Sequence, residues 1–302
     1  MKPKRSVCLA ASLLIVPPVF ANEGLTDRLD PLLEAHEGDV AIVVEHLETG
    51  ESFARRPDEP MPTASLIKLP VMVEAYRQAR QDGLDLQQSV TLTDADKVPG
   101  AGILNRHFYE GATLPLRDAI RLMIVYSDNT ATNLVLDVIG LPKTSETMES
   151  LGYPNTKIHS KVYRRDTSVF PERSERFGLG STTAAEMVRL LRALQRGELA
   201  PPDDTAAMLD HLKACEDPNK FPRFLPSGAV AAMKTGSVDA TRTAAGILNT
   251  PAGPVALCVL TDRNADQSWG PDNAGDLLCA EVARAVFHHF QEIATTTANP
   301  EP

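Results

Sequence analysis

Ser65-Leu66-Ile67-Lys68-Leu69-Pro70 is followed by Val71-Met72-Val73 and a polar run that stops before Gly83. The spacing predicts a helix from about Ser65 to Gln81, with Gly83 as its stop signal. Pro70 lacks an N–H and is tolerated only in the first turn or so of a helix. That constraint puts Ser65 at the helix start and Lys68 one turn further on, so both side chains leave the same face.

Working outward, Val40 to Leu47 is a β-rich run, and Glu48-Thr49-Gly50-Glu51 reads as a hairpin turn before Ser52-Phe53-Ala54. From about 60 to 200 the pattern is mainly helical. Leu116, Ile120, Met123 and Ile124 recur at helical spacing. Thr130 to Ile139 resumes a helix with Leu134, Val135 and Val138 on one side. Thr183-Ala184-Ala185-Glu186 reads as a capping box for a helix that carries Met187, Leu190, Leu191 and Leu194 and closes at Gly197. Strand character returns in Ala229 to Met233, Ala244 to Leu248 and Val255 to Leu260, with Asn249 to Pro254 as the turn between the last two. Asp276 to Ile293 reads as a closing helix with Leu278, Val282, Ala285 and Val286 inward. The order is β, then a long α insert, then β and α, so both ends of the chain are expected to share one sheet. The expected layout is an α/β domain from 22–60 and 205–295, a helical lobe over 61–204, and a disordered tail over 296–302.

The N-terminus reads as a secretory signal. Lys2, Lys4 and Arg5 precede an apolar run from Val7 to Phe20, and Val19-Phe20-Ala21 offers a cleavage site after Ala21. An uncleaved anchor is the competing reading, but the run is short for a membrane span and Pro17-Pro18 interrupt it. Loss of residues 1–21 takes away three positive charges and no acid, moving the net charge from −10 to −13. Such acidity argues against nucleic acid and anionic membrane surfaces as partners. Cys215, Cys258 and Cys279 remain; their spacings fit no zinc site, and sequence does not pair them. The seven histidines form no metal-binding cluster, and no G-x-S-x-G is present. No metal and no organic cofactor is expected.

Two further motifs follow the first: Ser127-Asp128-Asn129 and Lys234-Thr235-Gly236. Alone, each has an ordinary explanation: an N-cap serine with a solvated lysine, an interhelical turn, an edge strand with a solvated lysine. Residue frequencies put the chance of all three in this order well below about one in a hundred. Their chemistry is also coherent. A serine hydroxyl needs a base to act as nucleophile, and Lys68 supplies one if burial or a neighbouring cation such as Lys234 holds it neutral. The Ser127 hydroxyl can relay a proton to a leaving nitrogen, and Asn129 offers a donor and an acceptor to a substrate amide. Lys234 and the Thr235 hydroxyl suit a carboxylate. Gly236 allows close approach of a substrate, and the Ser237 N–H suits an oxyanion.

S-x-x-K, S-D-N and K-T-G together resemble the serine β-lactamase and penicillin-recognising peptidase superfamily, nearest to class A β-lactamases. Phe221-Pro222-Arg223-Phe224-Leu225-Pro226 and the run Leu122-Met123-Ile124 into Ser127 to Asn133 look similar to that family too, so the resemblance spans nearly all of the mature chain. It implies an antiparallel sheet flanked by helices plus an all-helical lobe, with the site between them. It also implies a periplasmic or extracellular monomer acting on a small β-lactam or a cell-wall peptide. Ser65 is then the acylated residue, Lys68 its base and Ser127 the proton donor, while Asn129, Lys234, Thr235, Gly236 and Ser237 hold the substrate.

The resemblance breaks in two places. The E-x-x-L-N segment whose Glu activates the deacylating water is absent from Lys161 to Arg173. Asp166, Glu172 and Glu175 are the acids nearby, but none falls at the matching spacing, and each reads more readily as a loop salt-bridge partner of Arg164, Arg165, Arg173 or Arg176. The extra Arg expected after K-T-G to bind a substrate carboxylate falls one position from Arg242, with Lys220 as the other cation. Two rival expectations follow: the same acylation chemistry on another substrate, as a D-Ala-D-Ala peptidase or small esterase, and, because the Glu is missing, a slow binder or sensor of cell-wall fragments or β-lactams that keeps its acyl group.

Overall fold

The computed structural model describes residues 23–298; the segment read as a secretory signal lies outside them. Five antiparallel strands form the main sheet, in the order Ser52–Arg55, Asp39–His46, Gly253–Asp262, Thr241–Thr250 and Ala231–Val238. The strand nearest the N-terminus thus pairs with the third C-terminal strand, Asp39 opposite Asp262 and His46 opposite Val255. Both ends of the chain share one sheet, as the order of elements predicts.

Period-two alternation gives the sheet two apolar faces. Val40, Ile42, Val44, Val255, Leu257 and Val259 enter a core with Leu25 and Leu29 of the Glu23–Glu34 helix and Val282, Val286 and Phe290 of the Ala274–Ala298 helix. Ala41, Ala245, Ile247, Ala256, Cys258 and Leu260 face the opposite way, into the core that holds Leu190, Leu191 and Leu194 of the Ala184–Gln195 helix. That second core continues without a break into the helices Lys68–Gln81, Leu116–Val125 and Asn129–Ile139.

Several local expectations are refined. The Asn249–Pro254 turn is tighter than its composition suggests: Gly253 pairs with Thr250, leaving Pro251-Ala252 as a two-residue loop. Thr183 caps its helix by accepting from the Glu186 N–H at 3.1 Å, but the Glu186 carboxylate does not reach back. It accepts instead from the Asn155 N–H and the Thr156 hydroxyl, so the expected box is half formed. The closing helix runs to Ala298, past the point where the tail was expected to begin, and residues 299–302 lie outside the described part. Two minor sheets, Met61–Pro62 with Gly180–Thr182 and Lys157–Ile158, and Ser89–Thr91 with Thr113–Pro115, were not legible in the pattern. Their strands are two or three residues long, too short to show an alternation.

Candidate active site

Ser65 lies in the 3₁₀ turn Ala64–Ile67, which runs directly into the helix Lys68–Gln81 with Pro70 in its first turn. Residues on two sheets fix this turn. The Thr63 N–H donates to Gly180 O at 3.0 Å, and the Thr243 hydroxyl donates to Thr63 O at 2.8 Å. Ala64 pays for the sharp entry with φ of 45°, in the left-handed region that costs a residue with a Cβ. The same pinning explains Gly236. A Cβ there would stand 2.7 Å from Ser65 N and from Thr243 Oγ1, and closer still to Thr63 O. Only glycine lets the Ala231–Val238 strand lie against the backbone of Ser65.

Lys68 is 0% exposed. Its Nζ donates to Ser127 O at 2.6 Å and Asn129 Oδ1 at 2.8 Å, and lies 3.2 Å from Ser127 Oγ. Burial, with the Lys234 charge behind it, pushes its pKa well below the ordinary lysine value against the opposing pull of Asp128. All three oxygens, Ser127 O, Ser127 Oγ and Asn129 Oδ1, stand where they accept from Lys68 Nζ, and a hydroxyl at one of them can pass a proton either way.

Ser127 and Asn129 converge on Lys68 because the chain bends sharply between them. Ser127 has φ of 53°, and Asp128 is the N-cap of the helix Asn129–Ile139, accepting from the Ala131 N–H at 2.8 Å. The other Asp128 oxygen accepts from the N–H groups of Ile103 and Leu104. One carboxylate therefore holds the helix, the bend and the facing loop. Asn129 is largely committed inside: Oδ1 accepts from Lys68, and Nδ2 donates to Pro99 O at 2.9 Å, leaving one N–H for a substrate.

Lys234 is also fully buried, donating to Thr235 O at 2.9 Å. Burial lowers its pKa, and the Lys220 charge adds to the effect, while Cys215 and Asp217 oppose it. Lys220, 2% exposed, donates to the Ser237 hydroxyl at 2.8 Å and pairs with Asp217 at 3.2 Å and Asp276 at 3.1 Å. These carboxylates overcome the effect of burial and raise the Lys220 pKa, so it is a firm cation.

Arg242 is engaged largely within the fold. It is 1% exposed, and Nη1 donates to the carbonyls of Val238, Asp239 and Thr241. Nη2 donates to Ser268 O at 2.7 Å, Nε faces Asp276 at 3.5 Å, and the Trp269 ring lies 5.0 Å from the guanidinium carbon. Most of its donors thus brace the Val238–Thr241 turn and Ser268. Lys220 is the cation that reaches Ser237.

The segment after Lys157–Ile158 is clamped over the helix Asn129–Ile139. Asn133 accepts from the Val162 N–H at 2.8 Å and donates to Val162 O at 3.1 Å. An asparagine inside an apolar helix stripe was the available signal for this contact, since asparagine is a poor helix former unless its amide has a use. His159 Nδ1 donates to Gly178 O at 2.9 Å, Nε2 lies 3.1 Å from Ser181 Oγ, and burial lowers the pKa to about 4. Asp166, Glu172 and Glu175 are exposed. Among the described residues, none of the three forms an ion pair or hydrogen bond with Ser65, Lys68, Ser127, Lys234 or the arginines of this segment.

Buried lysine, bent Ser-Asp-Asn turn and glycine-lined strand edge now stand together, and comparison with known proteins agrees. The sequence model of the β-lactamase enzyme family matches residues 24–290. The chain belongs to that family. A β-lactamase of Bacillus licheniformis is 31% identical over 280 residues, covering 89% of this chain and 86% of that one. A β-lactamase of Streptomyces cellulosae is 29% identical over 249 residues, covering 80% and 78%. Among solved structures, a β-lactamase of Sphaerobacter thermophilus superposes with a TM-score of 0.77 at 29% identity, covering 88% of this chain and 97% of that one. The mixed fold, an antiparallel sheet with helices, is that of class A β-lactamases and related penicillin-binding proteins.

Proposed function

We propose that this family member opens β-lactam rings through an acyl-enzyme on Ser65. The observation that carries the reading is the buried Lys68, its pKa lowered by burial and by the Lys234 charge, hydrogen-bonded to Ser127 and one turn after Ser65 in the chain. The Ser65 hydroxyl attacks the lactam carbonyl and its proton passes to the Lys68 amine. The C–N bond breaks as the Ser127 hydroxyl gives its proton to the ring nitrogen and takes one from the Lys68 ammonium. Lys68 ends neutral. The edge position of the Ala231–Val238 strand leaves backbone groups free beside Gly236, where the N–H groups of Ser65 and Ser237 serve the oxyanion. Lys234, Thr235, Ser237 and Lys220 hold the substrate carboxylate, and the remaining Asn129 N–H meets its amide.

Release is the slow step in this reading. With Asp166, Glu172 and Glu175 exposed and unconnected to the site, the regenerated Lys68 amine is the base left to take a proton from water. The N-terminal Lys2 to Ala21 pattern supports export, with action outside the cytoplasm on β-lactams as a monomer. Steady-state hydrolysis of a chromogenic cephalosporin by the wild type and Ser65→Ala tests the reading. Turnover that vanishes in Ser65→Ala supports it. Equal rates in both proteins would reject it.

A further inference from the structure

Asp217 is an acid placed where a carboxylate-binding subsite has little use for one. Its Oδ2 lies 3.2 Å from Lys220 Nζ, and its Oδ1 accepts from the Asn219 N–H at 3.1 Å. The Thr235 hydroxyl faces it and favours its ionised form. Burial alone would raise its pKa, but Lys220, Thr235 and the Asn219 N–H outweigh that and hold it below the usual carboxylate range, so it carries a full negative charge. Lys220 and Thr235 are two of the groups assigned above to the substrate carboxylate. Asp276 already pairs with Lys220 at 3.1 Å from the helix side. Lys220 thus meets two fixed carboxylates before any substrate arrives.

We propose that Asp217 is a specificity-determining residue, whose carboxylate competes with the anionic group of the substrate for Lys220 and Thr235 and shifts preference toward β-lactams neutral at that position. The proposal rests on the β-lactam reading above. A carboxylate entering this subsite is repelled by Asp217 and finds Lys220 partly neutralised, whereas an ester in the same place loses little. A purely structural Asp217, serving only to cap Asn219 and aim Lys220, would instead help the acid bind.

The test compares a chromogenic cephalosporin with its C4 methyl ester, on the mature protein and on Asp217→Asn, which keeps the acceptor for Asn219. The proposal predicts that Asp217→Asn lowers KM for the acid about threefold to tenfold relative to that for the ester, an effect that shrinks as salt rises. Lys220→Met should move the same ratio the other way. An acid-to-ester ratio unchanged or reversed in Asp217→Asn, with Lys220→Met still selective, would overturn the proposal and leave the β-lactam reading standing. Failure of the wild type to acylate with either compound would overturn both.

Discussion

Lys234 tunes the chemistry of Lys68. Burial lowers the pKa of Lys68 first, and the Lys234 charge second. In Lys234→Met that second contribution is removed, so the Lys68 pKa rises and the protonated, inactive form persists to higher pH. The acid limb of acylation, followed as kcat/KM against pH, should move to higher pH even as the rate itself falls; a limb that stays put would mean that the two charges do not communicate. Gly236→Ala is a steric case. Its Cβ would collide with backbone at Ser65 and Thr63, which cannot swing aside as a side-chain end can. Displacing the nucleophile in this way should cost on the order of 100-fold in acylation rate, read by burst kinetics. At this scale the turn at Ser65 leading into the helix of Lys68 and the bend at Ser127 were legible from spacing, because a helix turn and a tripeptide bend are local geometry. The direction of Arg242 was not. Whether a strand residue faces a cleft or its own turn depends on neighbours such as Ser268 and Trp269, which lie far along the chain.

Elements are joined to the site by a few polar residues. Asp128 caps the helix Asn129–Ile139 and also receives the N–H groups of Ile103 and Leu104. Asp128→Ala should therefore cost about 3 kcal/mol in denaturant unfolding, a cap plus charge-assisted bonds left unmade. Asp128→Asn should cost less, since it still accepts. The helices around this residue were legible from apolar periodicity, as were the strands of the main sheet. The half-formed capping box at Thr183 was not, because Glu186 has a better use in satisfying Asn155 and Thr156 across the fold. Lys220 and Asp217 belong to the same class: the sequence offers a cation, but only the packing of the C-terminal helix, which brings Asp276 to it, shows how far its charge is already answered.

On the whole-molecule scale, two buried histidines couple stability to pH. Burial lowers the pKa values of His159 and His211 from 6.5 to about 4. Between these values the unfolded chain binds protons that the folded one refuses. Stability is therefore fully present above about pH 6.5, falls as the pH drops toward about 4, and levels off below that as far as these groups are concerned. Each should contribute on the order of 1–2 kcal/mol after solvent screening, and His211→Gln should flatten part of the slope in urea unfolding measured across this range. The molecule as a whole is a two-faced sheet with helices on both sides and a serine between sheet edge and helical core, and its order of elements already pointed there. In the proposed function, activity is decided by the balance between forming and releasing the acyl-enzyme. Stopped-flow mixing with a chromogenic cephalosporin, with intact mass recorded on the same samples, measures both steps at once. The account predicts a rapid burst, a mass adduct lost in Ser65→Ala, and slow steady turnover behind it. Absence of both burst and adduct, or an adduct that survives in Ser65→Ala, would contradict it.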